Sequence, residues 1–410
     1  MDRLMRICFV VQRFGAEIAG GAEAGCRGFA LDLAGRGHSV TVATSCAVSY
    51  TTWANDYAPG SSLDGDVHVH RLPVVHGRQQ ERFAALSERV LNGRYVGTWD
   101  LEQEWLATQG PDIDIAGWLR AHQQFDVFVF FTYLYWPTVA GVPVVAGRVP
   151  VIVHPTAHDE PPLRLRAIRP ALQMADGLIF LTIEEEAIVR SRIGLHQRGA
   201  VIGIPVDEPT PIAPSELNTL RQRLNSDHWL LCLGRNDPSK GTHELVQWYR
   251  RYRDTHENIQ PLVLAGDPAH PIDPGDGVIV LGLVDERTKG ALLAGATALM
   301  QPSYFESFSI VLTEAWARAV PAVVQGRGAV LAGQVARSAG GLSYRGFAEF
   351  EAAVDLVLSN DLLRTRMGAS GQRFVRAEYD RSSVLHRYEE FLDTVVDEFE
   401  PVRSPVAPSD

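Results

Sequence analysis

The stretch Gln301–Gln325 reads QPSYFESFSIVLTEAWARAVPAVVQ. The residues before it, ATALM at 296–300, predict a short buried strand, and Pro302 ends that strand. Apolar residues then recur at helical spacing from Ser309 to Arg318, and PAVV at 321–324 predicts the next strand. The order strand, loop, helix, strand is typical of an α/β domain with a parallel sheet.

Two carboxylates lie at the loop–helix junction of this unit. Glu306 precedes the predicted helix and Glu314 lies within it, with seven residues between them. A helix N-terminus presents unpaired N–H groups and a positive dipole end to an anion such as a phosphate. Carboxylates accept hydrogen bonds from sugar hydroxyls. The pattern therefore fits a nucleotide-sugar site, although the same spacing also occurs on ordinary surface helices with two solvated glutamates.

The whole chain has the composition of a globular protein with two domains. It has 410 residues, of which 46% are hydrophobic and 21% charged, and this length exceeds what one core usually serves. The net charge of −11 argues against a nucleic-acid partner. Four scattered cysteines without a C-x-x-C pair favour a reducing cytosol over a disulfide framework or a metal site. The apolar run ICFVV is too short to span a membrane, while peripheral membrane contact and the oligomeric state stay open.

The first half predicts a parallel, doubly wound sheet. RICFVV at 6–11 is a predicted strand, an amphipathic helix follows from about Gly20 to Arg36, and SVTVATS at 39–45 is the next strand. Further strands are predicted at 126–134, 149–155, 176–182 and 200–206, with helices at 137–146 and 184–193. The first strand–helix turn lacks G-x-G-x-x-G, so a dinucleotide-binding fingerprint is not supported.

Residues 47–110 fit the alternating pattern least. They contain the strand-like VHVHRL at 67–72 and are otherwise polar, rich in arginine and aromatic. We expect an insertion with helices and a long loop, and such segments usually carry specificity.

The second half repeats the α/β pattern after an acidic, proline-rich linker, DEPTPIAPSE at 207–216. Strands are predicted at 229–235, 261–267, 277–282, 296–300, 321–324 and 340–344, with helices at 240–255, at 285–295 and within 346–398. The tail at 402–410 is expected to fray. The expected fold is two Rossmann-like domains, 1–206 and 207–380, with a C-terminal helix at 381–399 packing back on the first. Ligands are expected in a cleft between the carboxyl ends of their strands.

The second domain opens with a basic turn, LGRNDPSKG at 233–241. Arg235 follows a predicted strand and Lys240 opens the next helix. A guanidinium and an ammonium at this turn are suited to a diphosphate, and they stabilise charge on a departing nucleotide without a metal. The D-x-D at 112–114 is expected to begin a helix and not to serve as a metal site. Two surface cations near a turn are the plainer alternative.

These segments resemble the GT-B glycosyltransferases of family 4, a large retaining family that uses nucleotide sugars. The resemblance rests on five segments: Gly20-Gly21 with Glu23, GRNDPSKG at 234–241, LAGD at 264–267, LGLVDE at 281–286 and PSYFESFSIVLTEA at 302–315. It covers the second domain and both ends of the first, and it is weakest over 47–125. It implies a GT-B architecture, a nucleotide diphosphate sugar as donor, and a hydroxyl acceptor on a sugar, glycolipid, glycan or small molecule.

The resemblance also implies a role for each matched residue. Glu314 would bind the ribose hydroxyls, and Glu306 would lie by the transferred sugar and its phosphate. Arg235 and Lys240 would hold the diphosphate. The remaining donor contacts would come from Gly20, Gly21, Gly266, Leu283, Val284, Phe308, Ser309, Ile310 and Val311. Ser309 departs from the family, which more often has glycine there.

The first domain offers one candidate histidine for the site. HPTAHDE at 154–160 follows a predicted strand, where the family has its active-site histidine, and this favours His158 over His154. His158 is expected to hydrogen-bond the donor sugar and the acceptor side, with Asp159 and Glu160 as candidates to orient it.

The leading interpretation is a cytoplasmic retaining glycosyltransferase that needs no metal or other cofactor, with Glu306, His158, Arg235 and Lys240 as its catalytic residues. A nucleotide-sugar epimerase and a non-transferring nucleotide-sugar-binding protein, both GT-B-like, are the alternatives. A Rossmann dehydrogenase is a third, against which the missing glycine fingerprint counts. Trp53 and Trp136 are candidates to stack on a sugar acceptor, or they pack in the core. The base, sugar, acceptor and linkage stay open.

Overall fold

A computed structural model describes residues 3–18, 20–91, 97–236, 240–267 and 270–401. The chain forms two compact units. The N-terminal unit runs to Gly203 and resumes at Val384, and the C-terminal unit is Ile204–Ser383. The predicted domain boundaries lay after residues 206 and 380. The tail at 402–410, which was expected to fray, lies outside the described residues.

Within the described residues, the N-terminal unit has one sheet of eight strands. They are β1 (Arg6–Val10), β2 (Ser39–Ser45), β3 (Gly60–Asp64), β4 (Val67–Leu72), β5 (Val127–Phe131), β6 (Val151–His154), β7 (Gly177–Phe180) and β8 (Gly199–Val201). Their order is β3-β4-β2-β1-β5-β6-β7-β8. Neighbouring strands are parallel except β3 and β4. The central β5, VFVFF, is buried along its whole length, as expected for a strand covered on both faces.

The antiparallel β3 is a feature that the sequence interpretation missed. Asp64 pairs with Val67 across a two-residue turn, and Gly65 in that turn has a φ of 58°. The two turn residues are Gly65 and Asp66, and a Gly-Asp pair between two strand-like runs indicates a hairpin because glycine tolerates positive φ. The insertion predicted at 47–110 therefore begins by extending the sheet at its edge.

The helices of the N-terminal unit before residue 203 are α1 (Gly21–Gly35), α2 (Gln80–Leu91), α3 (Trp99–Gln109), α4 (Ile115–Ala121), α5 (Trp136–Val145), α6 (Arg169–Gln173) and α7 (Ile183–Ile193), with a 3₁₀ turn at Pro161–Arg164. Two of them, α2 and α3, lie in the insertion. Arg13, which lies outside the insertion, donates to the carbonyl of Val48 over 2.7 Å and ties the insertion to the rest of the unit. Arg78 donates to the carbonyl of Tyr50 over 2.9 Å and joins two parts of the insertion.

The C-terminal unit has a parallel sheet of six strands among its described residues. They are β9 (Trp229–Leu233), β10 (Leu262–Ala265), β11 (Val278–Gly282), β12 (Ala296–Gln301), β13 (Ala322–Gln325) and β14 (Gly341–Tyr344). Their order is β11-β10-β9-β12-β13-β14. Numbered within the unit, this is 3-2-1-4-5-6, the strand order of the Rossmann fold.

Seven helices belong to this unit in the described part of the chain: α8 (Pro214–Leu224), α9 (Thr242–Thr255), α10 (Glu286–Gly295), α11 (Ile310–Ala317), α12 (Ala329–Ser338), α13 (Phe347–Ser359) and α14 (Asp361–Glu378). The predicted linker at 207–216 was too long, because its last residues form the first turn of α8. Pro214 opens that helix, where its missing N–H costs nothing, and Glu216 accepts a hydrogen bond from the amide of Ala213.

The last helix, α15 (Arg381–Asp397), packs on the N-terminal unit. The ring of Tyr388 stacks on Phe29 with centroids 4.4 Å apart, and its hydroxyl is 2.9 Å from Nε2 of His154. All four cysteines are buried thiols outside any disulfide. In the described ranges, no helix combines the length and the apolar character needed to cross a bilayer.

Candidate functional site

The carboxyl ends of β9 and β12 lie side by side in the C-terminal sheet. The chain continues from β9 to β10 on one side and from β12 to β13 on the other, so the strand order reverses here. Open α/β sheets bind their ligands at such a point. The loops that follow these two strands carry Lys240 and Glu306, and Nζ of Lys240 is 2.7 Å from Oε1 of Glu306.

A glycine allows the two loops to meet. Gly241 has a φ of 69°, and a Cβ at this position would overlap the carbonyl oxygen of Pro302. The absence of a side chain permits both the left-handed backbone and the close approach. Lys240, the preceding residue, is thereby brought against the loop of Glu306.

The helix α11 begins directly after this ion pair. Its cap residue, Ser309, has a φ of 71°, a conformation that favours glycine. The Ser309 hydroxyl accepts a hydrogen bond of 3.0 Å from the side-chain amide Nε2 of Gln301. The amides of Ser309, Ile310 and Val311 lie where a helix has no carbonyl of its own to bind. The ring of Phe308 is buried against Tyr379, and its carbonyl accepts a hydrogen bond from the side chain of Gln334.

Glu314 forms a second ion pair, one that was not predicted. Nζ of Lys289 on α10 is 2.7 Å from Oε1 of Glu314 and 2.7 Å from Oε2 of Glu286. Burial raises the pKa of Glu314 above its usual value, against the opposing effect of Lys289. Burial alone would lower the pKa of Lys289, but its two carboxylate neighbours raise it overall. Oε2 of Glu314 is buried and has no hydrogen-bond partner among the described residues.

A cavity of about 400 Å³ lies beside this second pair, within the C-terminal unit. One wall is the connecting segment, which we define as residues 204–213. Another wall is one face of α11 with Glu314, together with Arg318 directly after the helix, and a third is α10 with Lys289. Arg318 donates a hydrogen bond of 3.1 Å to the carbonyl of Thr210, which ties the connecting segment to α11.

The chain uses lysine at these two places and nowhere else. Of its 38 Lys and Arg residues, two are lysines, Lys240 and Lys289. Lys240 lies 2.7 Å from Glu306, and Lys289 lies 2.7 Å from Glu314. An ammonium is a compact charge with three donors, whereas a guanidinium is a fixed planar fork. The sequence interpretation used Lys240 and missed Lys289, although the rarity of lysine would have pointed to both.

Arg235 lies on the same loop as Lys240, two residues after β9, and is half-buried. The next residue, Asn236, is buried and its amide donates to the carbonyl of Asp267 over 2.9 Å. The start of this loop is therefore fixed to the loop after β10, while residues 237–239 lie outside the described ranges.

Gly266, Leu283 and Val284, which the resemblance implies as donor contacts, lie in the turns after β10 and β11. The amide of Gly266 donates a hydrogen bond of 2.8 Å to the carbonyl of Gly282, so the two turns are joined. Leu283 is 72% exposed, next to a half-buried Val284. An exposed large apolar side chain at the carboxyl edge of a sheet is suited to contact with a flat ring.

Gly266 leads to the first prediction. Its φ is 146°, and a Cβ there would overlap the carbonyl oxygen of Gly234. We expect Gly266→Ala to lower the free energy of unfolding by about 1–3 kcal/mol, the typical cost of a strained backbone position. Chemical denaturation measures it, with Gly346→Ala as control because that residue has a φ of −158° and open space around it. Equal stability of the two variants would contradict the expectation.

In the N-terminal unit, the loop after β1 is built around a buried ion pair. Arg13 and Glu23 are each 6% exposed and bind one another, and Gln12 donates to Glu23 over 2.9 Å. A Cβ on Gly20 would overlap the Glu23 carboxylate, whereas a Cβ on Gly21 would meet nothing within 4 Å. Gly20 is thus needed by the ion pair, and Gly21 leaves space at the start of α1.

The two candidate histidines differ in burial. His154 is fully buried, stacks on Phe131 at 4.1 Å, and burial lowers its pKa to about 3. It is therefore a neutral core residue. His158 is half-buried, and its Nδ1 is 3.4 Å from Oε1 of Glu160, which also accepts a hydrogen bond from Tyr133. Of the two, only His158 reaches solvent.

The loop of His158 depends on a residue that the sequence interpretation missed. Glu185 is fully buried, and its two oxygens accept hydrogen bonds of 2.7 Å from the amides of Ala157 and Leu181. Burial raises its pKa to about 7. Asp159 pairs with Arg192 at 3.0 Å, so Glu160 and not Asp159 is the carboxylate beside His158. Nothing in EEE at 184–186 distinguishes Glu185 from its neighbours.

Trp53 packs in the core of the N-terminal unit. It is 2% exposed, donates from Nε1 to the carbonyl of Gln109 over 2.9 Å, and meets the ring of Tyr135 edge-on. Of the two interpretations left open for Trp53, core packing is therefore the right one. Trp136, the first residue of α5, is half-buried.

The D-x-D motifs have local structural roles. Asp112 is 2.7 Å from His76, and Asp114 caps α4 by accepting a hydrogen bond from the amide of Gly117. A second motif, DGD at 64–66, was overlooked, and its Asp64 pairs with Arg27 at 2.6 Å. Across the described part of the chain, no group of three or more His, Cys, Asp and Glu side chains is arranged to hold a metal ion.

Comparison with known proteins identifies the family. Residues 20–205 match the model described as "Glycosyl transferase 4-like domain", and residues 220–374 match "Glycosyl transferases group 1". The chain belongs to the group 1, family 4-like glycosyltransferases. It is thus a transferase, and the dehydrogenase alternative falls away.

Curated proteins of similar sequence support the assignment of this chain to the glycosyltransferase family. A D-inositol 3-phosphate glycosyltransferase of Xylanimonas cellulosilytica is 27% identical over 338 residues, which cover 75% of this chain and 76% of that protein. A glycogen synthase of Mycobacterium tuberculosis is 28% identical over 196 residues, 42% of this chain and 46% of that protein.

Solved structures with the same fold confirm the predicted GT-B class of this glycosyltransferase. Anabaena Alr3699/HepE in complex with UDP-glucose has a TM-score of 0.71 at 16% identity, covering 95% of this chain and 100% of that one. The trehalose-6-phosphate synthase OtsA has a TM-score of 0.71 at 14% identity, covering 97% and 100%.

Proposed function

We propose that this glycosyltransferase moves a sugar from a nucleotide diphosphate sugar to a hydroxyl acceptor and retains the anomeric configuration. The observation that carries the donor part is the pair of lysine–glutamate contacts around α11, one at the reversal point of the C-terminal sheet and one beside the 400 Å³ cavity. The retaining outcome rests on the family resemblance.

The diphosphate is proposed to bind at Lys240, Arg235 and the first amides of α11. Lys240 carries three donor hydrogens. It contacts Glu306 at 2.7 Å and the carbonyl of Phe305 at 3.4 Å, and its side chain is 30% exposed, so one donor is left for a phosphate. The positive charges of Lys240 and Arg235 stabilise the negative charge that develops on the departing nucleotide. The amides of Ser309, Ile310 and Val311 supply further donors at the positive end of the helix.

The transfer step is proposed to occur on one face of the sugar. The bond between the anomeric carbon and the phosphate oxygen breaks, and the acceptor oxygen forms its bond on the same side. The acceptor proton passes to the departing phosphate oxygen. Glu306, as the carboxylate of this loop, would stabilise the positive charge that develops on the sugar ring, while Lys240 holds the carboxylate in place.

The ribose is proposed to bind at Glu314, whose buried Oε2 lacks a partner among the described residues. A buried acceptor without a donor is costly unless a ligand supplies one. Leu283 and Val284 would contact the base. In the N-terminal unit, His158 with Glu160 is proposed to bind a sugar hydroxyl, and Gly21 to leave room for substrate.

The relatives guide the choice of test substrates. Alr3699/HepE is solved with UDP-glucose, so UDP sugars are tested first, followed by GDP and ADP sugars. Inositol 3-phosphate and a glucan are the first acceptors, from the names of the curated relatives. A cytoplasmic location and peripheral membrane contact remain proposals.

A mass-spectrometric screen of donors and acceptors tests the function. Transfer gives a product heavier by one sugar, and NMR of its anomeric proton reports retention or inversion. An isomerised donor without transfer would instead support the epimerase alternative. Donor binding without any turnover across the panel would support a non-transferring protein.

We further predict that transfer survives EDTA. Arg235, Lys240 and the α11 amides would supply the positive charge that a divalent cation provides in other enzymes. Initial rates are compared in EDTA, in EDTA with excess Mg²⁺, and in EDTA with excess Mn²⁺, with the rates expected to agree within about two-fold. Complete loss in EDTA with recovery on adding either metal would overturn the proposal.

A further inference from the structure

Lys289 lies between two glutamates at the wall of a cavity, and none of the roles above uses it. We propose that Lys289 and Glu314 together form a clamp for the two adjacent hydroxyls of the donor's ribose, with Glu314 accepting from one hydroxyl and Lys289 donating to the other. This inference rests on the proposed function, because it concerns the ribose of the same nucleotide. It adds a second binding group and divides the two hydroxyls between them.

The contacts of the two side chains leave one ammonium donor and one unpartnered carboxylate oxygen for a ligand. The Lys289 ammonium has three N–H donors. In the part of the chain that the structure describes, two acceptors lie 2.7 Å from it, on Glu286 and Glu314. Glu314 uses Oε1 for Lys289, while its Oε2 stays buried without a partner. Each ribose hydroxyl both donates and accepts, so a vicinal diol is complementary to this pair.

The ion pair leaves Oε2 as the oxygen of Glu314 that has no partner among the described residues. Oε1 keeps a second lone pair while it binds Lys289. The third N–H of Lys289 lies beside this carboxylate, so it is placed to donate to the second hydroxyl. The charged groups that act on Glu314 are Lys289 and Glu286 from α10 and Arg318, the residue after α11.

Arg318, the other cation near Glu314, has a contact in the connecting segment. It lies one helical turn after Glu314, but its Nη2 donates to Thr210 in the connecting segment over 3.1 Å. Lys289 is 23% exposed as a side chain, and both Lys289 and Glu314 line the cavity of about 400 Å³. A ribose is small enough to enter such a space.

The test is a matrix of dissociation constants measured by calorimetry. The proteins are the wild type, Lys289→Met, Glu314→Gln and the control Arg223→Met, which removes a positive charge from an exposed site on α8. The ligands are UDP, GDP and ADP, each with its 2′-deoxy and 3′-deoxy forms. For the wild type we expect each lost hydroxyl to weaken binding roughly ten-fold, the typical value of a hydrogen bond to a charged group.

The pattern across variants decides the proposal. Lys289→Met should bind one of the two deoxy nucleotides as tightly as it binds the parent nucleotide. The hydroxyl that this deoxy form lacks has already lost its protein partner in the variant. In Glu314→Gln, removing the other hydroxyl should weaken binding less than it does in the wild type. Arg223→Met should match the wild type. If Lys289→Met weakens all ligands by one common factor and keeps both deoxy penalties, Lys289 has only a structural role and the clamp is wrong.

The two lysines provide a second readout that does not depend on activity. Protein labelled with ¹³C at lysine Cε has two side-chain signals, and Lys289→Met assigns them by the loss of one. The clamp predicts that a nucleoside diphosphate shifts both signals and that one deoxy form shifts the Lys289 signal less. A shift of Lys240 alone would reject the clamp and keep the diphosphate site. No shift and no binding with any nucleotide would reject the proposed function itself.

Discussion

Lys240→Met is expected to weaken nucleoside diphosphate binding by roughly 10- to 100-fold and to slow transfer further. One charge-assisted hydrogen bond to a phosphate contributes on the order of 1.5–3 kcal/mol to binding. The structure adds a second cause, because the substitution leaves the Glu306 carboxylate, whose side chain is 12% exposed, without the ammonium that now lies 2.7 Å away. An uncompensated negative charge beside the diphosphate would repel it.

Two further variants separate these causes. Lys240→Arg keeps the charge but replaces a compact ammonium by a planar fork, so it should recover part of the affinity. The double variant Lys240→Met/Glu306→Gln removes both charges and should bind nucleotide better than Lys240→Met alone. Arg235→Ala should weaken nucleoside diphosphate binding by the amount expected for losing one charge-assisted hydrogen bond to a phosphate.

Calorimetry with nucleoside diphosphates gives the affinities, and thermal unfolding without ligand controls for folding. A Lys240→Met protein that is folded and binds nucleoside diphosphate as tightly as the parent would remove Lys240 from the phosphate site. In that case the ion pair with Glu306 would serve the stability of the two loops alone.

Sequence patterns predicted local structure in this chain well and pairings between distant segments poorly. The strand at 296–300, the loop and the helix from Ser309 are observed as β12, its loop and α11 within one or two residues, because hydrophobic period and proline act over a few residues. The hairpin of β3 was missed despite its Gly-Asp turn, since the insertion lacks the regular alternation of the rest of the chain.

The partners of the two glutamates illustrate what local patterns omit. Lys240 meets Glu306 because β9 and β12 are neighbours in the sheet although they are far apart in sequence. Lys289 meets Glu314 because α10 and α11 line the same cavity. Both contacts depend on the strand order, which periodicity does not encode. Lys240 was predicted because it lies in GRNDPSKG, one of the segments that carry the family resemblance. Lys289 lies outside those segments and was missed.

Glu306→Gln and Glu314→Gln are expected to change different kinetic constants. Glu306 is proposed to gain interaction as positive charge develops on the sugar, and such an interaction affects the transition state more than the ground state. Its loss should lower kcat by roughly 10²–10³, as for an oxyanion-hole donor. Glu314 is proposed to bind the ribose equally in both states, so its loss should raise the donor KM, by roughly ten-fold, with a smaller change in kcat.

The ion pairs sharpen this contrast, because each substitution releases a different lysine. Glu306→Gln leaves Lys240 without its carboxylate, so the ammonium is more available to the diphosphate and the donor KM should stay level or fall while kcat drops. Glu314→Gln leaves Lys289 bound to Glu286, so the charge there stays paired and the fold should hold. Steady-state kinetics with the donor found by the screen measures both, and circular dichroism checks folding. A raised KM with unchanged kcat in Glu306→Gln would show that this carboxylate binds substrate without assisting the reaction, and the stabilisation of the sugar's positive charge would then have to come from another group.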